Sequence, residues 1–266
     1  MEVDGVLDSV PLWALLPITI AVGLLAVEIG YRLGSRRRRH SSDEKEAPVG
    51  AMVAATLGLL AFMLAFSFGL AATRFDDHRR VILDESNAIG TTYLRAAMLP
   101  EPIASETRTL LREYVDVRIE AVKTGSIDQA ISKSGELHDR LWAQAQAATE
   151  KDRSPITALF VQSLNKVIDL HSTRILVGLH SRVPAVIWLT LYLLAALAMS
   201  AIGYHEGLTS TRRSLVALTL VVSFSVVLFL IVDLDRPTQG LLRVSQHSMI
   251  ELRNSMSVAL PQQAGN

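Results

Sequence analysis

The chain contains no cysteine. Disulfides, thiolate metal centres and cysteine nucleophiles are therefore excluded, and thiol usage gives no reading of redox compartment. A net charge is lacking as well: 26 Lys and Arg balance 26 Asp and Glu. The whole chain thus has no electrostatic footprint for nucleic acid and no bias towards ligands of one sign. Strand signals are absent. So is charge itself over long stretches, because residues 49–73, 183–204 and 215–232 carry none and residues 11–27 are apolar up to Glu28.

What is present fits those absences. Half of the 266 residues are hydrophobic, and the mean hydropathy is +0.31. Both are too high for an ordinary soluble domain and point to a bilayer. Each of the four apolar runs is long enough to span one. The first is flanked by Glu2, Asp4 and Asp8 rather than by a basic region, so it reads as an anchor and not as a cleaved signal.

The expected architecture is an all-α membrane protein. Residues 1–73 form one transmembrane hairpin and 183–232 a second, with a helical extramembrane domain, 74–182, between them. Residues 233–266 hold an Asp-Leu-Asp-Arg-Pro segment and an amphipathic helix, expected over 237–256 and opened by Pro237. Within the central domain, helix two is expected to run on to Leu99-Pro100-Glu101-Pro102, which stops it. Apolar residues at helical spacing mark 103–124, closed by Gly125. A weaker helix covers 127–149. Ser154-Pro155 is an N-cap followed by proline at the first helical position, and its helix is expected to reach about residue 182 and lead into membrane helix three. An even number of crossings separates the ends of helices two and four, so the central domain and the C-terminal segment share one side. Arginines 36–39 and Arg212, Arg213 lie in the expected loops 34–48 and 205–214. The positive-inside rule places those loops in the cytoplasm.

The second membrane run contains FMLAFSFGLAATRF. Phe62 and Phe66 lie on one helix face, with Gly58 one turn earlier. Ala51, Ala55, Gly58, Ala65, Gly69 and Ala72 recur at three- and four-residue spacing, a pattern that lets membrane helices approach closely. Read by spacing alone, the phenylalanines pack beside a small-residue seam.

This stretch resembles the second membrane helix of animal bestrophins, F-x-L-G-F-x-x-x-L-x-x-T-R-W, with Phe62, Leu64, Phe66, Leu70, Thr73 and Arg74 matching, Ala65 in place of Gly and Phe75 in place of Trp. The combination of DESNAIGTTYLR, LPEP and DLDRP is similar to a bacterial family of bestrophin-like membrane proteins and covers most of the chain. The resemblance implies a homopentameric ion channel in the plasma (bacterial inner) membrane, with lipid and ions as its partners and no nucleic acid. It also implies that Phe62 and Phe66 form a hydrophobic pore neck, a ring able to close a pore by dewetting. The third neck position, an isoleucine in bestrophins, corresponds to Gly58. The helical domain of bestrophins is cytosolic, opposite to the side given by the arginine-rich loops.

The charged residues near the membrane ends have two readings. Carboxylates at the C-terminal end of a helix oppose its dipole and call for compensation. Asp233 or Asp235 could pair with Arg74 or Arg236, pinning helix four to helix two. Alternatively, Asp233, Asp235 and Asp76 or Asp77 could supply oxygen ligands to a hard cation. Calcium is the ion that the resemblance suggests, since animal bestrophins bind it soon after their last membrane helix. Glu28 reads as a surface pair with Arg32. Asn165 and Asp169 share a helix face and, with Asn87, read as a polar seam inside the helical bundle; His171 points elsewhere. His138-Asp139-Arg140 has no accompanying phosphate loop. No nucleophile–base constellation stands out, so an enzyme is not expected. The alternative to a channel is a membrane-anchored sensor or scaffold whose helical domain binds a protein partner.

Overall fold

A computed structural model describes residues 10–40, 46–180, 183–209, 215–236, 240–242 and 244–258, and holds no strand among them. The helices are α1 (Leu12–His40), α2 (Glu46–Ala96), α3 (Ile103–Thr124), α4 (Ile127–Lys151), α5 (Pro155–Ile175), α6 (Ala185–Thr209), α7 (Leu215–Asp235) and α8 (His247–Val258). A π-helical turn, Leu176–His180, follows α5. Contacts divide the chain into two compact units. One comprises Met1–Phe75 and Arg182–Arg243, the other Asp76–Ser181 and Val244–Asn266, so the division falls within α2.

The first unit holds the apolar lengths of α1, α2, α6 and α7, each long and apolar enough to cross a membrane. Leu60, Leu64, Leu191, Leu228 and Ile231 lie in its core. Its tightest packing joins α1 to α6. Gly30 and Gly34 face Gly203 and Gly207 across that contact. A Cβ at Gly30 would collide with the Ser200 carbonyl, and one at Gly203 with the carbonyl of Val27. Backbone therefore rests on backbone, and only glycine permits it. α7 packs on both α1 and α6.

In the second unit, α3 packs on α4 and α8, and α4 on α5. Tyr114, Phe160, Leu111, Leu137, Leu141 and Leu164 are fully buried. Local signals end its helices as expected. Gly125 closes α3 with φ +73°, a conformation that costs glycine nothing. Ser154 Oγ accepts from Thr157 N at 3.4 Å, with Pro155 opening α5.

Four boundaries differ from expectation. The arginines 36–39 expected in a loop lie on α1, which continues to His40; Lys45 lies outside the described residues. Likewise α6 continues to Thr209, and Arg212 and Arg213 lie outside the described residues. α5 does not lead unbroken into α6: Val183 and Pro184 are non-helical, because proline disfavours the helical conformation in the residue before it. Finally, the C-terminal helix begins at His247 rather than at Pro237. Residues 240–242 form a bend in which Leu241 and Leu242 donate their backbone N–H groups to Asp233, while Pro237 and Arg243 lie outside the described residues.

Candidate functional site

The apolar length of α2 has two unlike faces. Leu60, Leu64, Ser67 and Ala71 recur at three- and four-residue steps and are buried in the first unit. On the opposite face Gly58, Ala65 and Gly69 are exposed, and Phe62 and Phe66 stand 66% and 60% exposed. A Cβ added at Gly58 or Gly69 would meet nothing within 4 Å. Among the described residues Gly58, Ala65 and Gly69 thus form no seam within this chain, while Ala72 packs against the core of the first unit. The intrachain seam belongs to α1 and α6, whose glycines were not singled out in the sequence.

The aspartates in the last turn of α7 accept hydrogen bonds from backbone N–H groups. Asp233 is buried, and its Oδ1 and Oδ2 accept the backbone N–H groups of Leu241 and Leu242 at 2.6 and 3.0 Å. Gly240 is required there, since a Cβ would stand 2.6 Å from Asp233 Oδ1. Asp235 accepts from Val183 N at 2.9 Å. Arg236 is buried and donates to the Val10 carbonyl at 2.9 Å. The expected pair between Asp233 and Arg74 does not form; instead Arg74 Nη1 is buried without a hydrogen-bond partner. The backbone wins because charged acceptors bond strongly to the N–H groups that the 241–242 bend and the residue ahead of α6 leave unpaired.

A hard cation needs several free carboxylate oxygens, and Asp233 has committed both of its own. Asp76 and Asp77 are exposed. Among the described residues no group of three or more His, Cys, Asp or Glu could hold a metal. These residues do not fit the calcium site suggested by resemblance. Glu28 pairs with Arg32 Nε at 2.8 Å.

Asn87, Asn165 and Asp169 do come together, with Thr91, Arg95, Gln162 and Lys166, around an open cleft of about 520 Å³. All three are exposed, so they line a wet groove and not a seam inside the bundle.

The buried polar centre of the second unit lies elsewhere. Glu85 on α2 is fully buried. Its Oε1 accepts from Tyr114 Oη at 2.7 Å, and its Oε2 from Arg174 Nη1 at 2.5 Å. Arg118 Nε lies 3.2 Å from Oε1 in poor hydrogen-bonding geometry. Tyr114 Oη lies 3.2 Å from His171 Nδ1. Since Tyr114 donates to Glu85, His171 serves as the donor in that contact, which makes Nδ1 its protonated nitrogen. The rings of His138 and His171 meet edge to face, 4.7 Å between centroids.

Burial lowers His171 to about 4, with help from Arg118 and His138. Burial, then Arg118, also lowers His138, and burial followed by the Glu85 charge pushes Tyr114 well up. At neutral pH the histidines are uncharged and the tyrosine is protonated.

The sequence held a signal for this centre. Glu85 is in phase with Ile82 and Ile89, Arg118 with Leu111 and Val115, and His171 with Leu164 and Val167. A polar residue on an apolar helical face marks a buried site.

The Bestrophin-like domain family matches residues 19–249. No curated protein matches the chain. Among solved structures, a point mutant of a bacterial bestrophin homolog from Klebsiella pneumoniae aligns with TM-score 0.68 and 12% identity, over 94% of this chain and 99% of that one. Another, described as a membrane protein and also a point mutant, aligns with TM-score 0.66 and 14% identity, over 94% and 99% of the two chains. At these identities the structural likeness speaks to fold.

Proposed function

The chain belongs to the bestrophin-like family, and from that premise we propose that it is an oligomeric ion channel in which α2 lines the pore and Phe62 and Phe66 form an apolar neck. The observation that carries the reading is the division of α2 into a face packed on its own chain and a face left bare. Lipid alone could cover exposed phenylalanines. The bare face, however, also carries Ala51, Ala55, Gly58, Ala65 and Gly69, residues that let copies of one helix draw close around an axis. In such a ring the phenylalanine side chains converge, and a narrow apolar constriction shuts by losing its water. Glycine at position 58 leaves two aromatic rings in the neck and a wider mouth beside them.

In this reading two membrane hairpins, 1–73 and 183–232, flank the helical domain. The assembly is a homopentamer by family resemblance, seated in the plasma (bacterial inner) membrane among lipid and ions. Two measurements test it. The purified protein in mild detergent is expected to be a closed oligomer; a monomer removes the pore. In liposomes, Phe62→Ala with Phe66→Ala is expected to raise ion flux, and absence of flux from both the original protein and this variant would overturn the channel.

A further inference from the structure

The pore reading leaves the buried polar centre of the extramembrane unit without a task. Every helix around it contributes. α2 brings Glu85, α3 brings Tyr114 and Arg118, α4 brings His138 with Asp139 near it, and α5 brings His171 and Arg174. Gln246, just before α8, accepts from Arg174 Nη2 at 3.3 Å. His78 on α2 also feels the Arg174 charge. One carboxylate therefore faces two guanidinium groups, and this interior carries an excess positive charge while its imidazoles are neutral. His138 Nε2 is buried with no hydrogen-bond partner. A proton taken up by either ring would find the Glu85 oxygens already engaged and would add a further cation beside Arg118. Unpaired buried charge is among the costliest changes a core can undergo.

We propose that this centre is a proton-binding latch, in which protonation of His138 and His171 sets imidazolium charge against Arg118 and Arg174, breaks the Tyr114–Glu85 junction and loosens α3, α4 and α5. Insofar as α2 lines a pore, Glu85 couples that loosening to conduction, and this last step rests on the channel reading.

The direction follows from linkage. The folded state holds both imidazoles below their ordinary value, with His171 at about 4. Above about pH 6.5 both folded and opened states are neutral and the latch is closed. As pH falls from there towards about 4, the opened state takes up protons that the folded state refuses, and opening becomes easier by up to about tenfold per pH unit for each histidine. Below the folded values the effect is complete.

The test is amide hydrogen exchange on the purified full chain at about pH 7.5 and about pH 4.5, corrected for the intrinsic pH dependence of exchange. Amides of α3–α5 near Tyr114, His138 and His171 are expected to open at least about tenfold more readily in acid. His138→Gln with His171→Gln is expected to keep protection at the higher pH and to cut the acid response to within about twofold. Unchanged protection of the original protein, or a full acid response in the double variant, overturns the latch. If the double variant is unfolded at the higher pH, His138→Gln alone decides, because His138 Nε2 has no bond to lose: it must shrink the acid response by at least about threefold, and an undiminished response overturns the latch. Flux from the same preparations separates the two proposals. Acid-dependent flux lost in the variant extends the latch to conduction, acid-independent flux refutes that coupling, and no flux at any pH removes the channel while exchange still judges the latch.

Discussion

The two units solve the packing problem with opposite chemistries. In the membrane unit the closest contact is backbone on backbone, made by Gly30 and Gly34 against Gly203 and Gly207. In the second unit the centre is ionic, with Glu85 held between Arg118 and Arg174. Burial of apolar surface drives folding in water but provides no drive between helices surrounded by lipid tails. A membrane unit must then rely on close contact and on pairing most of its buried polar groups, as Asp233 does by accepting from the 241–242 bend. A helical bundle in water has hydrophobic burial to draw on and can carry a buried charge cluster, provided it stays paired.

That contrast can be broken at graded cost. The largest effect is expected from Gly30→Leu or Gly203→Leu, which forces a side chain into a neighbouring backbone. A loss of more than about 3 kcal/mol, or no folded protein, should appear in detergent melts. Gly58→Ala, with open space around it, should leave the melt unchanged or slightly raised. Next comes Glu85→Gln, which strands two buried guanidinium groups; about 3 kcal/mol should be lost, with exchange protection falling first in the second unit. Asp233→Ala removes two backbone acceptors and should cost about 1–3 kcal/mol, read as earlier melting of the membrane unit. The smallest loss belongs to Glu28→Gln, whose partner Arg32 is largely exposed. A shift under about 0.5 kcal/mol is expected, and a larger one would show that this pair is not a surface pair.

The sequence disclosed the two regions unequally. The four apolar lengths were legible by composition, because a bilayer demands runs of that length. Which face of each is buried was not, since lipid-facing and protein-facing positions are equally apolar; the small residues of α2 were read as a seam while the tight one lay on α1 and α6. In the second unit Gly125, Ser154 and the apolar phase mark α3 and α5 well. The error there concerned charge. Spacing places Asn165 and Asp169 in the interior, but they are exposed, whereas Glu85, Arg118 and His171, in phase with leucine and isoleucine, are buried. The sequence suggests a charged side chain or a cation as the partner of Asp233, because the backbone N–H groups it binds leave no trace in sequence. The break before α6 was foreshadowed by Pro184 and was outweighed by the apolar run that follows it.

The absence of native cysteine allows the bare face of α2 to be probed one position at a time without background. The most direct test places a single cysteine by Phe66→Cys, or by Leu64→Cys on the packed face, and applies a water-soluble thiol reagent to the protein in liposomes while flux is followed. The account predicts that the reagent alters flux through Phe66→Cys and leaves Leu64→Cys unaffected. Flux that responds at position 64 and is indifferent at position 66 would contradict a pore lined by this face of α2.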